Sequence, residues 1–224
     1  MRRRIYLLRH AEVSYLGASG QPIRPEQAAL TARGETQASA LGELLSGVKF
    51  DRIITSGLPR TLETVRRILE GRGAVPSVES WPEFSELRPG KLRDLLPAGL
   101  EKGLLGAFRG VVPESTRFLG GESIGELFDR VLPAMQRLRE ERTWDCALLV
   151  LHGAVNRALL SWALTGARTF LGHIEQAPGC INILDVDEVW VVRTVNFHPD
   201  DPLFLGGRET TMEKLHTELR GARR

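Results

Sequence analysis

Residues 5–13 read IYLLRHAEV and residues 146–153 read CALLVLHG. Each stretch opens on a short apolar run and closes near a histidine, His10 in the first and His152 in the second. The runs match strands, and CALLVL is apolar enough for a strand covered on both faces near the middle of a sheet. Open α/β sheets bind ligands just beyond the carboxyl ends of their strands, so the two histidines are expected to meet across one cleft.

Outward from the first stretch, a segment holding Gly17, Gly20, Pro22 and Pro25 reads as loop. Thr31 is then a candidate N-cap for a helix presenting Ala38, Leu41, Leu44 and Leu45 on one face and stopping at Gly47. Asp51 to Ser56 (DRIITS) predicts a second strand, and Pro59 suits the first turn of a helix reaching about Leu69. Glu79 to Pro97 predicts an irregular surface passage with Trp81 and Phe84 turned inward. Leu100 to Leu119 predicts a partly helical insertion. Its Leu104, Leu105, Phe108, Val111 and Val112 are expected to form peripheral core, with a substrate lid or a partner surface as the alternatives.

Glu122 to Arg142 predicts a long helix with Leu127, Val131, Met135 and Leu138 on one face and a kink at Pro133. A further helix follows His152-Gly153 to Leu164. CINILDVDEVWVVRTVN predicts an antiparallel strand pair at the sheet edge. Alternating strands and helices make this an α/β fold around a mixed, mainly parallel sheet.

At 224 residues the chain favours one compact domain over residues 1–224, with a possible cap or insertion at about 97–120 and a basic C-terminal tail at about 205–224. Apolar residues at 42% and charged residues at 26% exclude a disordered chain. Thirty basic against 28 acidic residues leave a formal charge of +2, which gives no reason to expect nucleic acid or a membrane as partner. The two cysteines, Cys146 and Cys180, cannot form a disulfide framework. Ile5 to Leu8 is too short for an export signal, and no apolar run reaches the ~18 residues of a membrane span, so the cytoplasm is the expected compartment.

Chemistry is expected at His10 and His152, with Arg9 beside the first histidine and Arg60 in the first turn after DRIITS. Arginine forks match phosphate oxygens, and a helix amino terminus adds backbone donors. A neutral imidazole can attack phosphorus while cations hold the other oxygens and a carboxylic acid protonates the leaving alkoxide. The competing readings are a histidine that merely ends a strand and, for Arg60, a solvated first-turn residue. Metal binding ranks lower because no HxH, HExxH or clustered acidic spacing is present, and no GxSxG supports a serine hydrolase.

LLRHAEV at residues 7–13 resembles the RHG signature of the histidine phosphatase superfamily, branch 1, the phosphoglycerate-mutase-like proteins. In order along the chain, LTARGETQA, TSGLPRTLET, GGES before a long helix, and LHGAVNRALL resemble further segments of that family. The resemblance implies a three-layer α/β/α sandwich of phosphoglycerate-mutase type and a metal-independent phosphomonoester hydrolase without cofactor. It implies His10 as nucleophile, with Arg9, Arg60 and His152 binding the phosphoryl group. SELRPGKLRD aligns Glu86 with the family's acid/base glutamate, and Glu83 is the alternative acid. Gly153 and Ser56 are candidate phosphate-binding residues. Glu12 is a candidate to orient His10 or a phosphate-binding partner, with a surface role equally open.

Three positions depart from the family pattern: Ala11 for the signature glycine, Gly57 for a proline in the second motif, and Asp94 where a second glycine often follows the acid. The expected partner is a small soluble phosphomonoester, and assembly as a homodimer stays open. Hydrolysis is expected ahead of phosphoglycerate-type mutase activity, because SELRPGKLRD lacks the ERxYGxLxG pattern that dedicated mutases share. A low-turnover phosphate-binding sensor is the third alternative. Arg88, Lys91 and Arg93 are candidates for extra substrate charge, against a solvated basic surface.

Overall fold

The computed structural model describes residues 2–15, 17, 23–90, 101 and 103–221. Lys91, Arg93, Asp94, Leu100, Gly20 and Pro22 lie outside the described residues. The main sheet has six strands: β1 (Arg3–Arg9), β2 (Arg52–Thr55), β3 (Val78–Ser80), β5 (Cys146–Leu151), β7 (Ile181–Val186) and β8 (Trp190–Phe197). Their order is β3-β2-β5-β1-β7-β8. The β3-β2, β2-β5 and β5-β1 pairs are parallel and the β1-β7 and β7-β8 pairs antiparallel, so the sheet is mixed and mainly parallel. β5 lies between β2 and β1, as its unbroken apolar run predicts.

Strand alternation sorts the core into two layers. Leu8, Ile53, Leu148 and Val150 face α1 (Ala32–Leu44) and α2 (Pro59–Ile68) through Leu41, Leu45, Val65 and Ile68. Leu7, Ile54, Ala147 and Leu149 face the other way, toward α3 (Ile124–Glu140) and α4 (Gly153–Thr165). This is the α/β/α sandwich.

The Thr31 hydroxyl caps α1 by accepting from Gly34 N–H at 3.0 Å. Ser123 and Glu126 close a reciprocal capping box at the start of α3, and Pro133 lies inside that helix without ending it. Leu44 corrects the expected apolar face of α1: it is 50% exposed, because it is turned about 100° from its buried neighbour Leu45.

The irregular passage expected from Glu79 begins instead in β3, a three-residue edge strand paired to β2. No apolar run announces it, since Val78 is 40% exposed. Trp81 and Phe84 turn inward and stack at 5.7 Å. In the insertion, Leu104, Leu105 and Val112 are buried while Val111 is exposed. The strand β4 (Val111–Val112) pairs with β6 (Phe170–Leu171) in a small second sheet. Within the basic tail, α5 (Thr211–Gly221) packs Met212 and Leu215 against the core. Among the described residues, no helix is long and apolar enough to cross a membrane.

Candidate active site

Three neighbouring parallel strands deliver the central residues to one end of the sheet. The registers Thr55↔Val150 and Arg9↔Leu151 bring Ser56, His152 and His10, each one or two residues further on, alongside one another. His10 N–H donates to the Leu151 carbonyl at 2.9 Å, which ties the two strand ends together. The imidazole rings meet edge to face with centroids 5.2 Å apart. His152 Nε2 shares a 2.7 Å hydrogen bond with the Ser56 hydroxyl.

Both histidines are buried, and both are held well below the ordinary histidine range. Loss of hydration is the main cause, and the charges of Arg60 and Arg9 add to it. His10 Nδ1 lies 2.8 Å from the Ala11 carbonyl. A carbonyl only accepts, so Nδ1 carries the proton, and a neutral ring then leaves a free lone pair on Nε2. Ala11 itself is buried and donates its N–H to Thr64 Oγ1 at 3.1 Å.

Arg60 lies in the first turn of α2 and is 2% exposed, which removes the reading of a solvated surface residue. Its Nη1 donates to the Pro25 carbonyl at 2.6 Å, and Arg9 Nη1 donates to the Gln176 carbonyl at 2.5 Å. Arg9 Nε, Arg60 Nε and His152 Nδ1 are buried and find no hydrogen-bond partner among the described residues. Buried donors of this kind normally find acceptors, and cationic ones make a place for an anion. Gly57 has φ of 82°, a left-handed turn closed to proline, which accounts for its departure from the family motif.

Glu86 reaches the same place. Its Oε1 accepts from Leu87 N–H at 2.8 Å and from Ala154 N–H at 3.2 Å, in the first turn of α4 directly after His152 and Gly153. Glu83 points elsewhere: its carboxylate pairs with Arg137 at 3.1 Å, and hydrogen bonding to its own backbone N–H, aided by Arg137, pulls it below the usual carboxylate range. Among the described residues no hydrogen bond brings Glu12 to the histidines; its carboxylate accepts from the Thr31 hydroxyl at 2.8 Å and faces Arg33 at 3.5 Å. Arg88 donates its backbone N–H to Glu122 at 2.9 Å. Among the described residues no three His, Cys, Asp or Glu side chains stand together as a metal-ligand set.

One residue beside the pocket escaped the sequence reading. Arg157 is 2% exposed and lies one helical turn after Gly153 on α4. The available signal was a single cation inside the otherwise uncharged run GAVNRALL.

The profile of the histidine phosphatase superfamily (branch 1) matches residues 5–197. A Salmonella paratyphi A protein named "Probable phosphoglycerate mutase GpmB" is 34% identical over 165 residues, covering 71% of this chain and 74% of that one. The adenosylcobalamin/alpha-ribazole phosphatase of Escherichia coli K12 is 28% identical over 198 residues, covering 83% and 91%. The crystal structure of the alpha-ribazole phosphatase from Shigella flexneri aligns with a TM-score of 0.65 at 26% identity, covering 86% and 96%. The mycobacterial glucosyl-3-phosphoglycerate phosphatase bound to inorganic phosphate shares the fold, with a TM-score of 0.68 at 22% identity over 88% and 98%. The profile match starts in the strand that delivers His10 and ends on the last residue of β8, and the chain therefore belongs to branch 1 of the histidine phosphatase superfamily.

Proposed function

We propose that the chain hydrolyses small phosphomonoesters through a phosphohistidine formed at His10. The observation that carries this reading is the set of buried nitrogens of Arg9, Arg60 and His152 that find no partner among the described residues, beside an imidazole kept neutral. In the first step His10 Nε2 bonds to phosphorus as the ester oxygen leaves, and Glu86 gives that oxygen a proton. In the second, Glu86 takes a proton from water, the water oxygen bonds to phosphorus, and the phosphorus–nitrogen bond breaks to release inorganic phosphate and His10. Arg9, Arg60, His152 and Ser56 hold the remaining phosphoryl oxygens, with the Gly153 backbone close by. Guanidinium groups supply the positive charge, so this mechanism assigns no cofactor or metal.

The relatives named as alpha-ribazole phosphatases favour a phosphorylated metabolite of modest size as substrate. The relative named as a mutase favours a second reading, transfer of the phosphoryl group to another hydroxyl before water arrives. Free thiols at Cys146 and Cys180 support work in a reducing compartment such as the cytoplasm.

Rapid mixing with a phosphorus-labelled aryl phosphate tests the proposal. Acid-labile label on the wild type, lost in His10→Ala with the fold intact, and steady release of inorganic phosphate are the expected results. Tight phosphate binding without label would select a sensor. Exchange between two positions of a phosphoglycerate without net phosphate release would select the mutase.

A further inference from the structure

Two guanidinium groups crowd the start of α4. A Cβ placed on Gly153 would lie 3.2 Å from Arg157 Nη1 and 3.5 Å from Arg9 Nε, so like charges share one small space. The guanidinium carbon of Arg157 also lies 4.9 Å from the centroid of the Phe108 ring, and burial pushes this arginine down to about 10. Such crowding persists only where acceptors oppose the repulsion.

One dipeptide supplies an acceptor to each arginine. The Glu175 carboxylate accepts from Arg157 Nη2 at 3.2 Å, and the Gln176 carbonyl accepts from Arg9 Nη1 at 2.5 Å. The dipeptide is held in turn by the first residue of α5. Thr211 N–H donates to Glu175 Oε1 at 3.1 Å, the Thr211 hydroxyl donates to the same oxygen, and that hydroxyl lies 3.4 Å from the Gln176 carbonyl.

We propose that Glu175 and Gln176 form a brace that positions Arg9 and Arg157 for phosphoryl binding, and that the C-terminal helix seats the brace through Thr211. The proposal rests on the reading of the His10 pocket as a phosphoryl site and gives the tail of the chain a task in that site. Glu175 and Thr211 are positioning residues; they act through the arginines and not on the phosphoryl group. A Glu175 that merely neutralised charge would predict the opposite sign, since removing it would then tighten anion binding.

The test measures the orthovanadate inhibition constant, KM and kcat for an aryl phosphate, and the unfolding midpoint of the full chain. The variants are Thr211→Val, Thr211→Ser, Glu175→Gln and the double variant Thr211→Val with Glu175→Gln. Loss of one hydrogen bond predicts about fivefold weaker orthovanadate binding in Thr211→Val, a matching rise in KM, a smaller change in kcat, and recovery in Thr211→Ser. Glu175→Gln should weaken binding further, and the loss in the double variant should fall short of the sum of the two single losses, because both changes act on one network. Wild-type binding in Thr211→Val, additive losses in the double variant, or tighter binding in Glu175→Gln would each overturn the brace alone. A wild type that does not bind orthovanadate would remove the phosphoryl site and the brace with it.

Discussion

An imidazole attacks phosphorus only through an unprotonated nitrogen, and burial beside Arg9 and Arg60 keeps His10 in that state. The same burial sets a pH dependence of stability. His10 and His152 titrate lower in the folded chain than in the unfolded one, so below about pH 6.5 the unfolded chain binds protons that the folded chain does not. Stability from these groups is complete above that value and is lost as pH falls below it. The unfolding midpoint should therefore drop between pH 7.5 and 5.5, and His152→Asn should flatten that slope. Glu86 serves a different step of the proposed mechanism: Glu86→Gln should slow alkyl phosphates by roughly 10²–10⁴ and activated aryl phosphates far less. Equal slowing in a leaving-group series would remove Glu86 as the acid, and Glu83, engaged by Arg137, offers no ready replacement. The two histidines and Arg9 were legible because an apolar run points at whatever ends it. Arg157 was not, because helical spacing tells which residues share a face and not which cation a distant loop will brace.

At the scale of elements, the start of α1 is pressed against the backbone that follows His10. A Cβ on Gly34 would come within 2.1 Å of the Glu12 carbonyl oxygen, and neither backbone can yield without moving the other. Gly34→Ala should cost about 3 kcal/mol or more, read as a lowered unfolding midpoint, and should weaken orthovanadate binding by shifting the loop that carries His10. A variant that unfolds and binds like wild type would show that this contact is slack. Elements of four or more residues with a strong apolar period were readable in the sequence, as was the cap at Thr31. The strands β3, β4 and β6, of two or three residues each, carry too few side chains for any alternation to show. β3 exists because the longer β2 offers it an edge, and β4 and β6 exist by pairing with each other.

For the whole molecule, the proposed anion site draws on both flanking helical layers and on the sheet between them, so occupancy should stabilise the entire fold. Orthovanadate at about a hundred times its dissociation constant adds ~2.7 kcal/mol, which for a chain of this size raises the melting temperature by roughly 5–10 °C. No such rise would mean that the folded chain lacks the site. A chelator such as EDTA should leave kcat/KM unchanged, since guanidinium groups carry the positive charge in the proposed mechanism. The sandwich itself was legible from the alternation of strands and helices, but the docking of α5 was not, because a polar, basic tail gives no sign of what lies beneath it. The strand order carries one more consequence, for the chain as it is being made. β5 is wedged between β1 and β2, although both precede it by about ninety residues or more. A nascent chain that has not yet extruded Leu151 holds β1 and the β2-β3 pair with a missing wedge between them, a slow, long-range closure during which mispairing competes. Until that insertion is finished, the growing polypeptide has no pocket at all, and oxyanions have nothing to rescue.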